Sequence, residues 1–209
     1  MKVVILHPPM YPVNHELFTL LGEKVDLTVY CYGEHPKLHP SWSVRKFENT
    51  NYRIVIFGSG APSFRNQFNP RLFFNLASEK PDVVISIAFW FPTFFASVLK
   101  QFFKFKLLIS TDAISATERD IPVYKKWLRA ASAKNIDGFI SASELTTYFL
   151  NKNFKGSPIY QSLQVIDFKK WRKSYNDLPS KTFLRRALKI PLNKKVILGV
   201  GAFNSNKNW

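Results

Sequence analysis

The sequence holds a single cysteine, Cys31. No internal disulfide can form, and no cysteine cluster can hold a metal. That usage fits a reducing compartment. Acidic residues are scarce: 14 Asp and Glu stand against 30 Lys and Arg, and the net charge is +16. A field of that sign favours anionic partners, whether nucleic acid, acidic lipid or phosphorylated ligands. Long apolar runs are missing too. The most apolar region, residues 83–109, carries Pro92, Lys100, Lys104 and Lys106, which breaks it as a membrane span of about 20 residues. Residues 1–6 are too short for the apolar core of a secretion signal and run straight into His7, Pro8 and Pro9. These absences read as a cytoplasmic protein, with peripheral contact at the inner face of the membrane as the extension that its charge invites.

What is present is enough for one α/β domain: 209 residues, 46% of them hydrophobic and 16% aromatic, a chain able to bury a core. Residues 2–7 are a near-continuous apolar run, as expected of a first parallel strand covered on both faces. Prolines 8, 9 and 12 break it, and Asn14 is placed to cap a helix through Leu21, with Gly22 as its stop. Strands are expected at 25–32, 44–47, 52–57, 83–88 and 106–111. Helices are expected at 71–78, 91–105 and 122–134, with Phe94, Phe95, Val98, Leu99, Phe102 and Phe103 as the apolar face of the second. Residues 58–69 mix turn residues with Phe64, Arg65 and Phe68 and read as loop. Strands alternating with helices at these spacings predict a doubly wound, mostly parallel sheet with helices on both faces.

Residues 135–171 form the most informative unit. Ile136–Ala142 reads as a buried strand. Ser143 sits where a helix N-cap belongs, and Glu144 lies in the first turn, where the helix dipole favours a negative charge. Leu145, Tyr148 and Phe149 recur at helical spacing, Gly156 and Pro158 end the helix, and the chain returns as a strand from Pro158. The pair Ile166-Asp167 follows, then Phe168 and Trp171. Residues 182–191 read as a short helix, and residues 194–208 as a strand and a loop with Gly199 and Gly201.

Taken in that order, these pieces resemble the junction between the two domains of GT-B glycosyltransferases, specifically the retaining glycosyltransferase family 4 (group 1) type. The resemblance implies a Rossmann-like, acceptor-side domain over 1–175, a linker and short helix over 176–193, and the first strand and loop of a nucleotide-sugar-binding domain over 194–209. It implies transfer of a sugar from a nucleotide-diphosphate donor to a glycan or lipid-linked acceptor, as in cell-surface polysaccharide or glycolipid synthesis. The glutamate pair that holds the nucleotide ribose in such enzymes has no counterpart here. The expectation is a truncated or split product, inactive alone and completed by a missing domain or a partner chain. No metal or cofactor is called for; the nucleotide sugar is a substrate.

Candidate residues follow from position. Open α/β sheets bind ligands at the carboxyl ends of their strands. Asp112, after the strand Lys106–Thr111 and beside Thr111, is the catalytic candidate. A carboxylate there could hold or deprotonate an acceptor hydroxyl, or balance positive charge in an oxocarbenium-like transition state. The alternative is an Asp capping its own turn. His7 and Asn14 could hydrogen-bond a sugar, or belong to a proline-stiffened turn packed on the sheet. Ser141 and Ser143 could meet ligand at the sheet edge; a helix cap is the competing role for Ser143. By resemblance, Gly199, Gly201 and Lys207 are donor-binding, although Ala202 replaces the basic residue that often follows the second glycine. Phe64, Arg65, Phe68, Arg71, Lys100, Lys104, Lys106, Lys125, Lys126 and Arg129 could form a face for acidic lipid, or a merely solvated surface. A non-catalytic basic module binding membrane or nucleic acid is the alternative function. No nucleic-acid fold signature accompanies the charge, which sets nucleic acid below lipid.

Overall fold

The computed structural model describes residues 1–10, 12–33, 50–58, 67–162, 172–173 and 175–197. The expected strand at 44–47, Phe64, Arg65, the segment around Asp167, and Gly199, Gly201 and Lys207 lie outside them. The chain divides into two compact units, Met1–Ile166 and Asp167–Trp209.

In the first unit the strands are β1 (Lys2–His7), β2 (Asp26–Cys31), β3 (Arg53–Ile56), β4 (Val83–Ile87), β5 (Lys106–Thr111), β6 (Gly138–Ser141) and β7 (Ile159–Gln161). They pair in parallel as one seven-stranded sheet in the order β3-β2-β1-β4-β5-β6-β7. The helices are α1 (Pro12–Gly22), α2 (Pro70–Glu79), α3 (Phe91–Leu99), α4 (Val123–Ala133) and α5 (Glu144–Asn153). The chain winds outward from β1 to β3, then crosses back to place β4 on the other side of β1. The strand order therefore reverses between β1 and β4, the switch point at which such sheets open a crevice.

Alternation along the strands supplies both cores. Val4 and Leu6 join Tyr30, Leu72, Leu76, Val84 and Leu107 in one buried cluster. Val3 and Ile5 join Met10, Phe18, Leu27 and Val29 in another. Near the far edge, Ile109, Phe139, Phe149 and Leu150 close a third. At Gly138 an added Cβ would lie 2.8 Å from the Pro158 carbonyl oxygen, so only glycine lets β6 and β7 come this close.

Three helices differ from their sequence expectation for physical reasons. Helix α1 begins at Pro12, not after Asn14; proline suits a first turn because its missing N–H needs no partner there. Helix α3 stops at Leu99, and its buried stripe is Pro92, Thr93, Ala96 and Ser97 instead of the phenylalanines. The small side chains let α3 lie close on β4: Ser86 and Thr93 share a hydroxyl bond of 2.7 Å. Phe95 packs instead on Phe68 and Phe73, and Phe94 on Trp127. In α5 the buried residues are Thr146, Phe149 and Leu150, while Leu145 and Tyr148 are exposed. A cap fixes where this helix starts but not which way it rolls.

In the second unit, α6 (Lys181–Ala187) is capped by Ser180, whose hydroxyl accepts from the Phe183 N–H. The Arg185 guanidinium gathers the carbonyls of Pro191, Leu192 and Lys194 at 2.6, 3.2 and 2.9 Å. Val196 and Ile197 are not in a strand, and Ile197 is fully exposed; residues 198–200 of the strand expected there lie outside the described residues. No helix among the described residues is long and apolar enough to cross a membrane.

Candidate functional site

The carboxyl edge of the sheet gathers the ends of β1, β4, β5 and β6. At β1, His7 is buried. Its Nδ1–H donates to the Pro8 carbonyl at 2.6 Å, and its Nε2 accepts from the Asn14 amide at 2.8 Å. A carbonyl can only accept, so the proton sits on Nδ1. Phe18 stands edge-on to the ring at 5.5 Å. Burial pulls the imidazole pKa down to about 4 against the lesser upward pull of the Pro8 hydrogen bond. His7 and Asn14 thus meet, and each uses the other as partner. Cys31, at the end of β2, is buried and its thiol is pushed up to about 12 by burial, which leaves it unreactive.

At β4 the chain turns through Ala88, a non-glycine residue with φ of 61°. Such left-handed backbone costs roughly 1–3 kcal/mol and persists only where neighbours hold it. Here the Ala88 N–H donates to Ser110 O at 2.7 Å, and Thr93 Oγ1 donates to Ala88 O at 2.6 Å. The turn swings Phe89 and Trp90 out over the sheet edge and starts α3.

At β5, Thr111 is buried and its hydroxyl accepts from the Ala113 N–H at 3.1 Å. The turn is therefore closed by Thr111, which leaves the Asp112 carboxylate unused. Asp112 is exposed and makes no hydrogen bond or ion pair among the described residues. Thr111 pairs in register with Ser141, and the Ala142 N–H donates to Thr111 O. Asp112 thus lies between the β4 turn and the Ala142–Ser143 turn. Ser141 is fully buried and bonded to the Thr147 hydroxyl at 2.7 Å. Ser143 is the N-cap of α5, accepting from the Thr146 N–H at 3.2 Å. Asp112 is the one of these polar candidates whose side chain is exposed.

A pocket of about 470 Å³ opens at the same edge, between the first turns of α3 and α4. Gln67, Phe89, Trp90, Phe91, Tyr124 and Lys125 line it over Leu128. Behind it, Arg129 pairs with Glu118 and lies 4.9 Å from the Phe89 ring and 6.0 Å from that of Phe149. Both partners are largely buried. They tie the loop that follows Asp112 to the body of the domain. Of the pocket residues the sequence reading singled out only Lys125, and that as part of a lipid-facing surface. Trp90, between the end of β4 and the start of α3, and Tyr124, in the first turn of α4, were the available signal. The burial of Gln67 had none.

Among the described residues, the basic ones do not gather on one surface. Lys100 and Lys106 converge on Asp137 at the amino edge of the sheet, at 2.6 and 3.4 Å, whereas Lys125 and Lys126 sit near the carboxyl edge and Arg129 points inward. Among the described residues no three His, Cys, Asp or Glu side chains are grouped to hold a metal ion.

No protein-family model matches the sequence, and no curated protein does. Solved structures do match in shape. HepE from Anabaena in complex with UDP superposes with a TM-score of 0.63 at 13% identity, over 90% of this chain and 50% of its own. UDP-GlcNAc 2-epimerase from Neisseria meningitidis bound to UDP-GlcNAc gives 0.57 at 16% identity, over 93% and 56%. UDP-GlcNAc 2-epimerase from Methanocaldococcus jannaschii gives 0.52 at 16% identity, over 77% and 45%. The chain spans about half the length of these proteins. Its fold is the α/β, doubly wound, Rossmann-like sheet of one half of a GT-B architecture.

Proposed function

We propose that this chain is the acceptor-side half of a retaining GT-B glycosyltransferase of the family 4 type. The complete enzyme moves a sugar from a nucleotide-diphosphate donor to a glycan or lipid-linked acceptor, in cell-surface polysaccharide or glycolipid synthesis. One observation carries the reading: Asp112 is an exposed carboxylate without a partner among the described residues, just past the carboxyl end of β5, which pairs with β4 on the far side from the reversal of strand order. The fold it shares with structures holding UDP or UDP-GlcNAc supports the same reading.

In this scheme a second lobe, on a continuation of the chain or on a partner chain, holds the nucleotide. Closure of the two lobes excludes water from the transfer. Gly199, Gly201 and Lys207 contribute to the donor side. Asp112 accepts a hydrogen bond from the acceptor hydroxyl, or offsets positive charge at the anomeric carbon. His7, Asn14, Thr111, Ser141 and Ser143 hold the edge in shape around it. Helix α4 turns Val123 and Trp127 outward, both exposed, next to Lys126; this stripe is the contact with acidic lipid.

The test is Asp112→Asn in the assembled two-lobed enzyme. Loss of a positioned acid or base costs roughly 10²–10⁴-fold in turnover, with an unchanged melting temperature because the exposed carboxylate has no hydrogen bond or ion pair to lose among the described residues. Unaltered turnover removes Asp112 from the mechanism. A second reading, epimerisation of a UDP-sugar, draws support from the epimerase likenesses. Turnover of the donor that needs no acceptor decides for it.

A further inference from the structure

The pocket between α3 and α4 has chemistry that the role given to Asp112 leaves unused. Gln67 is 5% exposed and lines the pocket, yet its amide makes no hydrogen bond among the described residues. An amide that lines a cavity without a partner among the described residues is available to hydrogen-bond a polar ligand group. The one charged side chain that lines the pocket is Lys125. Neither α3 nor α4 has a side-chain cap or an acidic residue in its first turn. The Val123 and Tyr124 N–H groups precede the first bond of α4, which Lys125 N–H makes to Pro122 O. Uncapped N–H groups with the positive end of the helix dipole favour an anion. Lys125 Nζ lies 5.2 Å over the Trp90 ring, with no carboxylate partner among the described residues. The rest of the wall is flat and apolar: Phe89, Trp90, Phe91 and Tyr124.

We propose that this pocket binds a pyranose carrying one anionic substituent, a carboxylate or a phosphate ester. The apolar face of the sugar ring lies on Trp90 and Tyr124. The anion meets Lys125 and the first turn of α4, and a ring hydroxyl satisfies Gln67. The first turn of α3 contains Pro92, which has no N–H to give; one lysine and the open start of α4 match a single anionic group, not a diphosphate. At about 470 Å³ the pocket falls within the roughly 300–1,000 Å³ of small-ligand sites. Naming this ligand the acceptor rests on the transferase reading; the binding itself does not.

The test is ligand-observed NMR titration of the purified chain with D-glucuronate, glucose 6-phosphate, glucose and UDP, with circular dichroism to verify the fold of each variant. At least one of the two charged sugars binds about tenfold more tightly than glucose, the gain of a charge-assisted contact. Which of the two binds tells carboxylate from phosphate. Lys125→Met brings the charged sugar to the level of glucose and leaves glucose unchanged. Trp90→Leu weakens every sugar. Equal binding of charged and neutral sugars, tighter binding of UDP, indifference to Lys125→Met, or no binding at all overturns the proposal. No donor or transfer enters the assay. Failure here therefore leaves the transferase reading standing, and loss of transfer leaves the pocket standing.

Discussion

Acid should destabilise this domain well before its carboxylates titrate, and His7 is the reason. The folded ring has a pKa of about 4, against an ordinary 6.5. The folded state therefore refuses a proton that the unfolded chain accepts. Where the unfolded state binds more protons, stability rises with pH. The contribution is fully present above pH 6.5, falls as pH drops from 6.5 towards 4, and levels off below. At 1.36 kcal/mol per pKa unit, the whole effect is about 3 kcal/mol, and about 2.5 kcal/mol of it is gone by pH 4.5. That is a large share of the roughly 5–15 kcal/mol that stabilises a domain. Burial is nearly complete, so solvent screening takes little from the figure. The assay is urea unfolding from pH 8 to 4.5, for the protein and for His7→Gln. The variant starts less stable at pH 8 because the link to Asn14 and Pro8 is changed, but its curve should be flatter by about 2.5 kcal/mol over the interval. Parallel curves would refute the reasoning: His7 would then be solvated, or charged, in the folded state.

Asp137→Ala should cost about 2–4 kcal/mol in urea unfolding, because it strips an acceptor from the Leu107 N–H and leaves Lys100 unpaired; the exposed pair to Lys106 adds little. Burial alone would raise the Asp137 pKa, but hydrogen bonds from Lys100 and the Leu107 N–H and the charge of Lys100 outweigh it and hold it low. Its stabilisation is present above the unfolded carboxylate pKa and is lost as pH falls through the folded one, so the Ala variant and the parent should converge in strong acid. On the outer face of α4, Trp127→Ser with Lys126→Gln should weaken co-sedimentation with anionic vesicles about fivefold or more, since each basic residue near such a surface contributes about 1 kcal/mol. Unchanged lipid binding, or preference for DNA with a steep salt dependence, would count against the lipid contact.

The sequence was a good guide to the sheet and a poor one to the surfaces of its helices. Runs such as Lys2–His7 and Lys106–Thr111 are apolar on both faces, and that pattern belongs to parallel strands. Ser143 was legible as a cap because capping is local. The roll of α3 was not legible. Its phenylalanines look like a core stripe, but Thr93 and Ser97 face the sheet, because close packing against β4 rewards small side chains. The exposed position of Asp112 could be read from its place after a strand. That Thr111 would close the turn, and so leave Asp112 unused, could not. The pocket walls come from helices whose neighbours are set by strand order, and no local signal reports that Gln67 lines one cavity with Trp90 and Tyr124.

The position of β1 has a consequence for how the protein is made. The strand of this sheet that comes first in chain order is an interior strand. Val3–Leu6 pairs on one side with β2 and on the other with Val83–Ser86. Until that later stretch has been synthesised, the nascent chain displays an open apolar edge of the kind that invites wrong partners. Correct closure must wait for the crossover that brings β4 home, so the same reversal of strand order that opens the ligand crevice also delays the moment when the sheet becomes safe from aggregation.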